Sequence, residues 1–294
     1  MDGIFLIDKP AGFTSHDVVA KMRRILGTKR IGHTGTLDPF ATGLLVMLVG
    51  KATRLAQFLD KDEKAYEAEI AFGFETDTGD RTGEPKGVFT DRPKDAIRSA
   101  VWENVLPKFR GRIMQTPPMY SAKKIDGKKL YELAREGIEI EREPVQINIS
   151  ELEIYDIREG SAKMRVRCSA GTFIRTLAED IGKEIGIGAH LSELRRTEAG
   201  NFNLQNALTI DKLALLEDTA SELISMNDAV GHLGKIELSE DRVGKTLSGL
   251  STRIQRTDLK PGEPMRMVDT SGNLIAIGIF DAEENIVRPK VVLG

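Results

Sequence analysis

The chain has 294 residues, 40% hydrophobic and 30% charged, with a net charge of −3. That length supports one large domain and a small one, and the balance of residues is that of a folded, soluble protein rather than a disordered one. No apolar run approaches 18 residues, which excludes a helical membrane span.

The chain enters a strand-like Ile4-Phe5-Leu6-Ile7 at once, without a basic segment followed by a long apolar one, and this predicts a cytoplasmic protein. Thr14 or Ser15 can cap a helix that carries Val18, Val19, Met22, Ile25 and Leu26 at helical spacing and stops at Gly27. The apolar run 44–49 reads as a buried strand and 52–59 as a short helix. A strand is predicted over 66–74, an exposed loop from Thr76 to Asp80 and beyond, and a helix over 94–106. A loop or hairpin at 115–126 and a short helix at 128–137, with Leu130, Leu133 and Ala134 on one side, form an exposed basic insertion at about 109–146.

Segment 145–157 is strand-like. Ala162, Met164, Val166 and Cys168 alternate with Lys163, Arg165 and Arg167, a strand with one apolar and one basic face. That basic face is either solvated or, near a site, turned toward phosphates. Gly171 and Thr172 open a helix with Ile174, Leu177, Ala178 and Ile181 inward, ending near Gly186; 190–198 is another strand. A boundary is expected near 225–234, followed by short strands with turns at Asp269-Thr270-Ser271-Gly272-Asn273 and at 281–285.

Cys168 is the only cysteine, so no internal disulfide forms, which suits a reducing compartment. The four histidines, His16, His33, His190 and His232, lack metal-ligand spacing, and no zinc site is expected. The run from Gly43 to Lys51 has the wrong glycine spacing for a phosphate loop, with Ala52 where a hydroxyl is needed. There is no nucleophile elbow and no dinucleotide fingerprint. Charge is unevenly spread. Lys21, Arg23, Arg24, Lys29 and Arg30 lie in an acid-free stretch, and Arg110, Arg112, Lys123, Lys124, Lys128, Lys129 and Arg135 face only Asp126 and Glu132. Such clusters suit a polyanion in a chain that is acidic overall.

The most informative segment is Gly32-His33-Thr34-Gly35-Thr36-Leu37-Asp38-Pro39-Phe40-Ala41-Thr42-Gly43-Leu44-Leu45. It presents one carboxylate from a Gly/Thr/Pro-rich loop anchored on a strand, the kind of place where catalytic groups sit. This segment closely resembles the signature of the TruB family of tRNA pseudouridine synthases. The resemblance continues through Leu6-Ile7-Asp8-Lys9-Pro10-Ala11-Gly12-Phe13-Thr14-Ser15, Tyr66, Pro117-Pro118-Met119-Tyr120-Ser121-Ala122-Lys123-Lys124, Gly171-Thr172-Phe173-Ile174-Arg175-Thr176-Leu177, and Leu191 with Leu194-Arg195-Arg196-Thr197.

The resemblance implies an α+β fold: a pseudouridine synthase catalytic domain at 1–230, with a mixed, mostly antiparallel sheet flanked by helices, and a PUA-like β domain at 231–294. It implies isomerisation of uridine to pseudouridine without cofactor or metal, at position 55 in the tRNA T-loop. Asp38 matches the catalytic aspartate and Arg175 its partner, which would lower the aspartate's pKa. Tyr66 matches a tyrosine that stacks on the target base, with a role in the final C5 deprotonation. Phe173 and Leu194 match apolar positions around the flipped base; Phe173 departs from the tyrosine common there. His33 matches a residue that meets RNA near the vacated space. Lys123, Lys124, Lys128 and Lys129 would hold phosphates from a thumb-like insertion. The enzyme is expected to act as a monomer on the T-arm, with no membrane, guide RNA or protein partner. Three alternatives remain: a guide-RNA-dependent relative, disfavoured by the insertion; a tRNA-folding chaperone, disfavoured by Asp38, Tyr66 and Arg175 together; and a carboxylate hydrolase using a second acid such as Asp8 or Asp77.

Overall fold

The computed structural model describes residues 1–60, 62–87, 97, 102–121, 123–125, 127–254 and 258–294. Two sheets dominate. The first has ten strands: β1 (Gly3–Lys9), β2 (Ile31–Thr34), β3 (Thr42–Val49), β4 (Lys64–Phe72), β7 (Gly111–Gln115), β10 (Val145–Tyr155), β11 (Ser161–Cys168), β12 (Ala189–Ala199), β13 (Phe202–Asn203) and β14 (Leu208–Thr209). Its order is β14-β1-β3-β12-β4-β11-β10-β7, with β2 on β3 and β13 on β12. Only β1·β14 and β12·β3 are parallel, so the sheet is mixed and mostly antiparallel, as expected. Two short ribbons lie outside it: β5 (Glu75–Thr76) with β6 (Pro85–Lys86), and β8 (Lys124–Ile125) with β9 (Lys128–Lys129). The second sheet joins β15 (Gly234–Glu237), β16 (Thr252–Arg253), β17 (Pro264–Val268), β18 (Leu274–Asp281) and β19 (Ile286–Val292) in the order β15-β17-β18-β19-β16.

β3 explains the unbroken apolar run. Leu45, Met47 and Val49 pack with Phe5, Ile7, Val18, Val19 and Met22 under the helix Ser15–Ile25. Leu44, Val46 and Leu48 face the other way and share a core with Val268, Leu274, Ile277 and Val291 of the second sheet and with Leu293 just after it. A strand buried on both faces has no polar alternation. The C-terminal sheet is therefore built onto the first, and Arg54 further ties the two by donating to the Val292 carbonyl.

The helix Ser15–Ile25 starts where the sequence indicates. Thr14 and Asp17 form a reciprocal capping box, the Thr14 Oγ1 accepting from Asp17 N at 3.1 Å and Asp17 accepting from Thr14 N at 2.8 Å. Segment 50–59 is a 3-10 turn, Gly50–Leu55, running into one α-turn, Ala56–Leu59. The expected helix at 94–106 lies largely outside the described residues; Trp102–Val105 is helical and Leu106–Phe109 a 3-10 turn. The tail also holds a helix, Glu240–Leu247, that strand and turn signals did not indicate. Both predicted turns are present: Asp269 Oδ1 accepts from Ser271 N and Asn273 N, and Asp281 Oδ1 from Glu283 N and Glu284 N.

The basic face of β11 is internally neutralised. Arg165 pairs with Glu67 and Glu153, Arg167 with Glu198 and Glu151, and Lys163 with Asp156. These cross-strand pairs cover the outer face of the sheet, while the inner face packs on the helix Ile174–Glu184. The solvated alternative holds for this strand. β7 pairs with β10 as the sheet edge, Gln115 opposite Val145, and among the described residues 116–144 lie off the large sheet.

Candidate active site

The Asp38 loop sits at a fork in the sheet. β3 pairs with β2 over Val46–Val49 and with β12 at Thr42 and Gly43, so residues 35–41 emerge between β2 and β12. Gly43 makes the fork feasible. Its φ is +99°, and a Cβ there would lie 2.3 Å from the Arg196 carbonyl oxygen. Arg196, on β12, is 1% exposed and holds both ends of the loop: its Nε donates to Leu44 O at 2.7 Å and a terminal nitrogen to Gly35 O at 2.9 Å. Lys9, also buried, donates to Phe13 O at 2.6 Å, Pro10 O at 3.0 Å and Pro39 O at 3.4 Å, pinning the residue after Asp38.

Asp38 opens into a cavity of about 250 Å³ lined by Tyr66, Phe173, Arg175, Leu194 and Arg196 among others. Its side chain is 36% exposed, so a ligand can reach it, whereas that of Arg175 is 7% exposed. Arg175 Nε is 3.0 Å from Asp38 Oδ2, and a terminal nitrogen reaches Oδ1 at 3.5 Å. The guanidinium is clamped from behind by Thr78 O at 2.7 Å and Tyr120 O at 2.6 Å, and lies 3.6 Å from the buried Asp80 carboxylate. Asp80 is itself fixed by Thr82 N at 2.9 Å and Thr78 Oγ1 at 3.0 Å. Arg175 thus has its direction set before any substrate arrives.

Arg175 lowers the Asp38 pKa, as expected, but it does not set the net direction. The Asp38 carboxyl is held above its usual range, because desolvation outweighs the attraction of Arg175; Asp80 adds to the rise, and Lys9 opposes it. Cations are also destabilised here. Burial lowers Lys9 to about 8, with Arg196 contributing, and lowers Lys64 and His33. Lys64 points its ammonium at Asp60 O (2.5 Å) and Asp62 O (2.7 Å). Burial likewise raises the Tyr66 phenol, with Arg196 pulling the other way.

Most of the residues singled out from sequence converge. Tyr66 on β4 is 9% exposed and Leu194 on β12 is 6% exposed, and both face the cavity. Phe173 precedes the first turn of the helix Ile174–Glu184; its N–H donates to Gln115 Oε1 at 2.9 Å and its carbonyl accepts from Gln115 Nε2 at 3.1 Å. His33 does not line the cavity. It lies on β2 opposite Met47, edge-on to His16 at 5.8 Å, with a buried Nδ1 that has no partner. Lys128 is exposed and Lys123 half-buried; the side chains of Lys124 and Lys129 lie outside the described residues. Asp8 and Asp77 are occupied elsewhere, Asp8 by Arg195 at 2.7 Å and Asp77 by Glu84 N at 2.8 Å.

Lys9, Asp80, Gln115 and Arg196 were not singled out from sequence. Arg196 left a trace: it follows Leu194 by two on a strand, which places a charge on the buried face. Asp80, in a Thr/Gly-rich turn, resembled any turn aspartate. Among the described residues no group of three or more His, Cys, Asp or Glu is arranged to hold a metal, and Cys168 is buried with its thiol raised to about 11 by burial.

Residues 23–174 match the model of the TruB family pseudouridylate synthase N-terminal domain, and residues 175–227 that of the tRNA pseudouridylate synthase B C-terminal domain. The tRNA pseudouridine synthase B of Geobacillus thermodenitrificans is 42% identical, over 99% of each chain, and that of Solibacter usitatus 40% identical, over the whole of each. Among solved structures, a Cbf5-Nop10-Gar1 complex matches with a TM-score of 0.76 at 28% identity, covering 99% of this chain and 85% of that one. An H/ACA RNP bound to a substrate RNA containing 2'-deoxyuridine matches with the same TM-score at 25% identity and the same coverage. With the fold, the Asp38–Arg175 pair and these full-length matches in agreement, the chain belongs to the TruB family of pseudouridylate synthases.

Proposed function

We propose that this chain isomerises uridine to pseudouridine in tRNA, at position 55 of the T-loop, with Asp38 as the catalytic carboxylate. The observation that carries the reading is the reachable Asp38 carboxylate, aligned by a buried arginine at the rim of a cavity of about 250 Å³. That volume is below the roughly 300–1,000 Å³ of drug-sized pockets. It suits one nucleoside turned out of its loop, at an unstacking cost of a few kcal/mol. Tyr66, Phe173 and Leu194 offer apolar surface for the base, and Arg175 directs Asp38 at the ribose or the base. In the reaction the N1–C1' bond breaks, the uracil turns, and C5 takes its place on C1'. N1 gains a proton from solvent and C5 loses one. The departure at Phe173 leaves the stacking surface and removes a hydroxyl.

In this reading His33, outside the cavity, meets the RNA beside the flipped nucleotide, and Lys123, Lys124, Lys128 and Lys129 touch phosphates from the insertion. The same role extends to Lys21, Arg23, Arg24, Lys29 and Arg30, which are exposed and, among the described residues, form no salt bridge. Residues 1–230 form the catalytic domain and 231–294 a PUA-like β domain. The chain acts as a monomer without guide RNA. No helix among the described residues is long and apolar enough to cross a membrane, which is compatible with a site of action among tRNAs.

The test is tritium release from C5-labelled uridine in bare tRNA. Wild type is expected to release one equivalent. Asp38→Asn is expected to release none, yet to bind tRNA within about tenfold of wild type, a difference of about 1.4 kcal/mol. Turnover by Asp38→Asn near the wild-type rate overturns the assignment, and strict dependence on an added guide RNA favours the guide-dependent alternative.

A further inference from the structure

Arg196 has an unusual position for an arginine. It is 1% exposed and, among the described residues, forms no salt bridge. A buried guanidinium without a counter-charge is unfavourable unless hydrogen bonds or a transient anion compensate it. Two of its nitrogens are spent on the Leu44 and Gly35 carbonyls. What remains lies at the cavity beside Tyr66: the two residues are opposite each other in the β4·β12 register, on the same face of the sheet, and both line the cavity. The other terminal nitrogen stands 3.0 Å from where a Cβ on Gly35 would be, and the Gly35 φ of +67° favours glycine there.

The surroundings leave Arg196 as the phenol's cationic partner. The titratable groups acting on Tyr66 are Arg196 from β12, Cys168 from β11 and Asp38 from the loop, and of these Arg196 alone is a cation. Around the guanidinium itself are Lys9 from β1, Lys64 from β4 and His33 from β2, each made harder to protonate by its charge or by burial. Asp17, Asp38, Asp60 and Asp62 act on these three groups with the opposite sign, and the charge that β12 sets opposite Tyr66 is positive, placed for an anion that forms only during reaction.

We propose that Arg196 is a positioning residue that stabilises the ionised Tyr66 oxygen as proton acceptor for C5, while locking that oxygen to the frame that carries Asp38. The inference rests on the reading of function above. The Tyr66 phenol loses its proton to water, and Arg196 holds the phenolate. When C5 is joined to C1', the C5–H bond breaks, its electron pair restores the C5=C6 double bond, and the proton passes to the Tyr66 oxygen. The phenol then returns that proton to water, so the C5 hydrogen ends in solvent.

The test is single-turnover pseudouridine formation in tRNA against pH, with uridine and with C5-deuterated uridine, for wild type, Arg196→Met and Arg196→Lys. Folding of each variant is checked by thermal melting. In Arg196→Met the final deprotonation is expected to slow by about tenfold or more, one pKa unit being a factor of ten. The C5 deuterium isotope effect should rise, and the ascending limb of the rate should move to higher pH. Binding of tRNA should stay within about twofold of wild type, since Arg196 acts inside the cavity rather than on the RNA backbone. Arg196→Lys keeps a charge but cannot span Leu44 O, Gly35 O and the phenol together, so the same changes are expected, smaller in size. A folded variant of either kind that is slower with an unchanged isotope effect and pH profile, or unchanged in all three, overturns the assignment. Lack of turnover by wild type would instead count against the reading of function.

Discussion

Asp38 is governed by two neighbours of opposite sign. Arg175 favours the ionised carboxylate, while Asp80, 3.6 Å behind the guanidinium, favours the neutral acid. Removing each therefore moves the acid limb of activity in opposite directions. Arg175→Met removes the cation, raises the Asp38 pKa further, and is expected to shift the acid limb of kcat to higher pH. Arg175→Lys is expected to restore part of the rate, since an ammonium cannot bond Asp38 and the Thr78 and Tyr120 carbonyls in one plane. Asp80→Asn keeps an acceptor for Thr82 N while removing the charge, and is expected to shift the limb to lower pH. Rate–pH profiles at saturating tRNA check the pair; shifts of the same sign in Arg175→Met and Asp80→Asn would contradict this account of Asp38.

At the scale of elements, the active site depends on how closely β12 approaches β3. The parallel pairing is only Arg195↔Thr42 and Arg196↔Gly43, and it is short because the Asp38 loop departs there. Gly43→Ala places a methyl 2.3 Å from a backbone oxygen at a φ of +99°. The strained backbone alone is expected to cost on the order of 1–3 kcal/mol. The close approach should also push Arg196 away from the loop. Denaturant unfolding is expected to show the reduced stability, and kcat is expected to fall more than tRNA affinity. A stable Gly43→Ala enzyme with normal kcat would mean the loop tolerates a wider fork.

Across the whole molecule, one property follows from the shared core and another from the charges on the surface. The second sheet completes the core of the first, with Ile277 fully buried in the cluster that contains Leu44, Val46 and Leu48. Ile277→Ala is expected to cost about 2–5 kcal/mol and to lower stability in one cooperative transition rather than melting the tail alone. Near- and far-ultraviolet dichroism followed through denaturation should coincide. Some of the cations are paired within the sheet, and the proposed RNA contacts lie elsewhere. Alanine at Lys123, Lys124, Lys128 and Lys129 is expected to weaken tRNA binding and flatten its salt dependence, by up to about 0.7–0.9 log unit of slope for each phosphate no longer neutralised. Gln at Arg165 and Arg167, which are already neutralised by glutamates, is expected to leave that slope unchanged. Equal slopes in wild type and the quadruple lysine variant would remove the insertion from the RNA interface.

Local rules settled a good deal from sequence alone. The helix start at Thr14 or Ser15, where Thr14 is the cap, the alternation of β11, and the turns at 269–273 and 281–285 each depend on residues a few positions apart, and each is found at the expected place. The acid-centred loop and the family resemblance identified Asp38, Tyr66, Phe173, Arg175 and Leu194, which the fold brings to one cavity. Long-range packing decided the rest. No spacing shows that the basic face of β11 meets glutamates from β4, β10 and β12, or that Lys9 reaches the carbonyl of Pro39. The net direction of the Asp38 pKa depends on how much desolvation the closed fold imposes against one guanidinium, and the sequence names the guanidinium but not the burial. Arg196 follows the same logic. Its place on a strand gave its face, but only the junction of β3, β4 and β12 surrounds it with two loop carbonyls and a phenol, because partners as far as 161 residues apart meet only when the sheet is assembled.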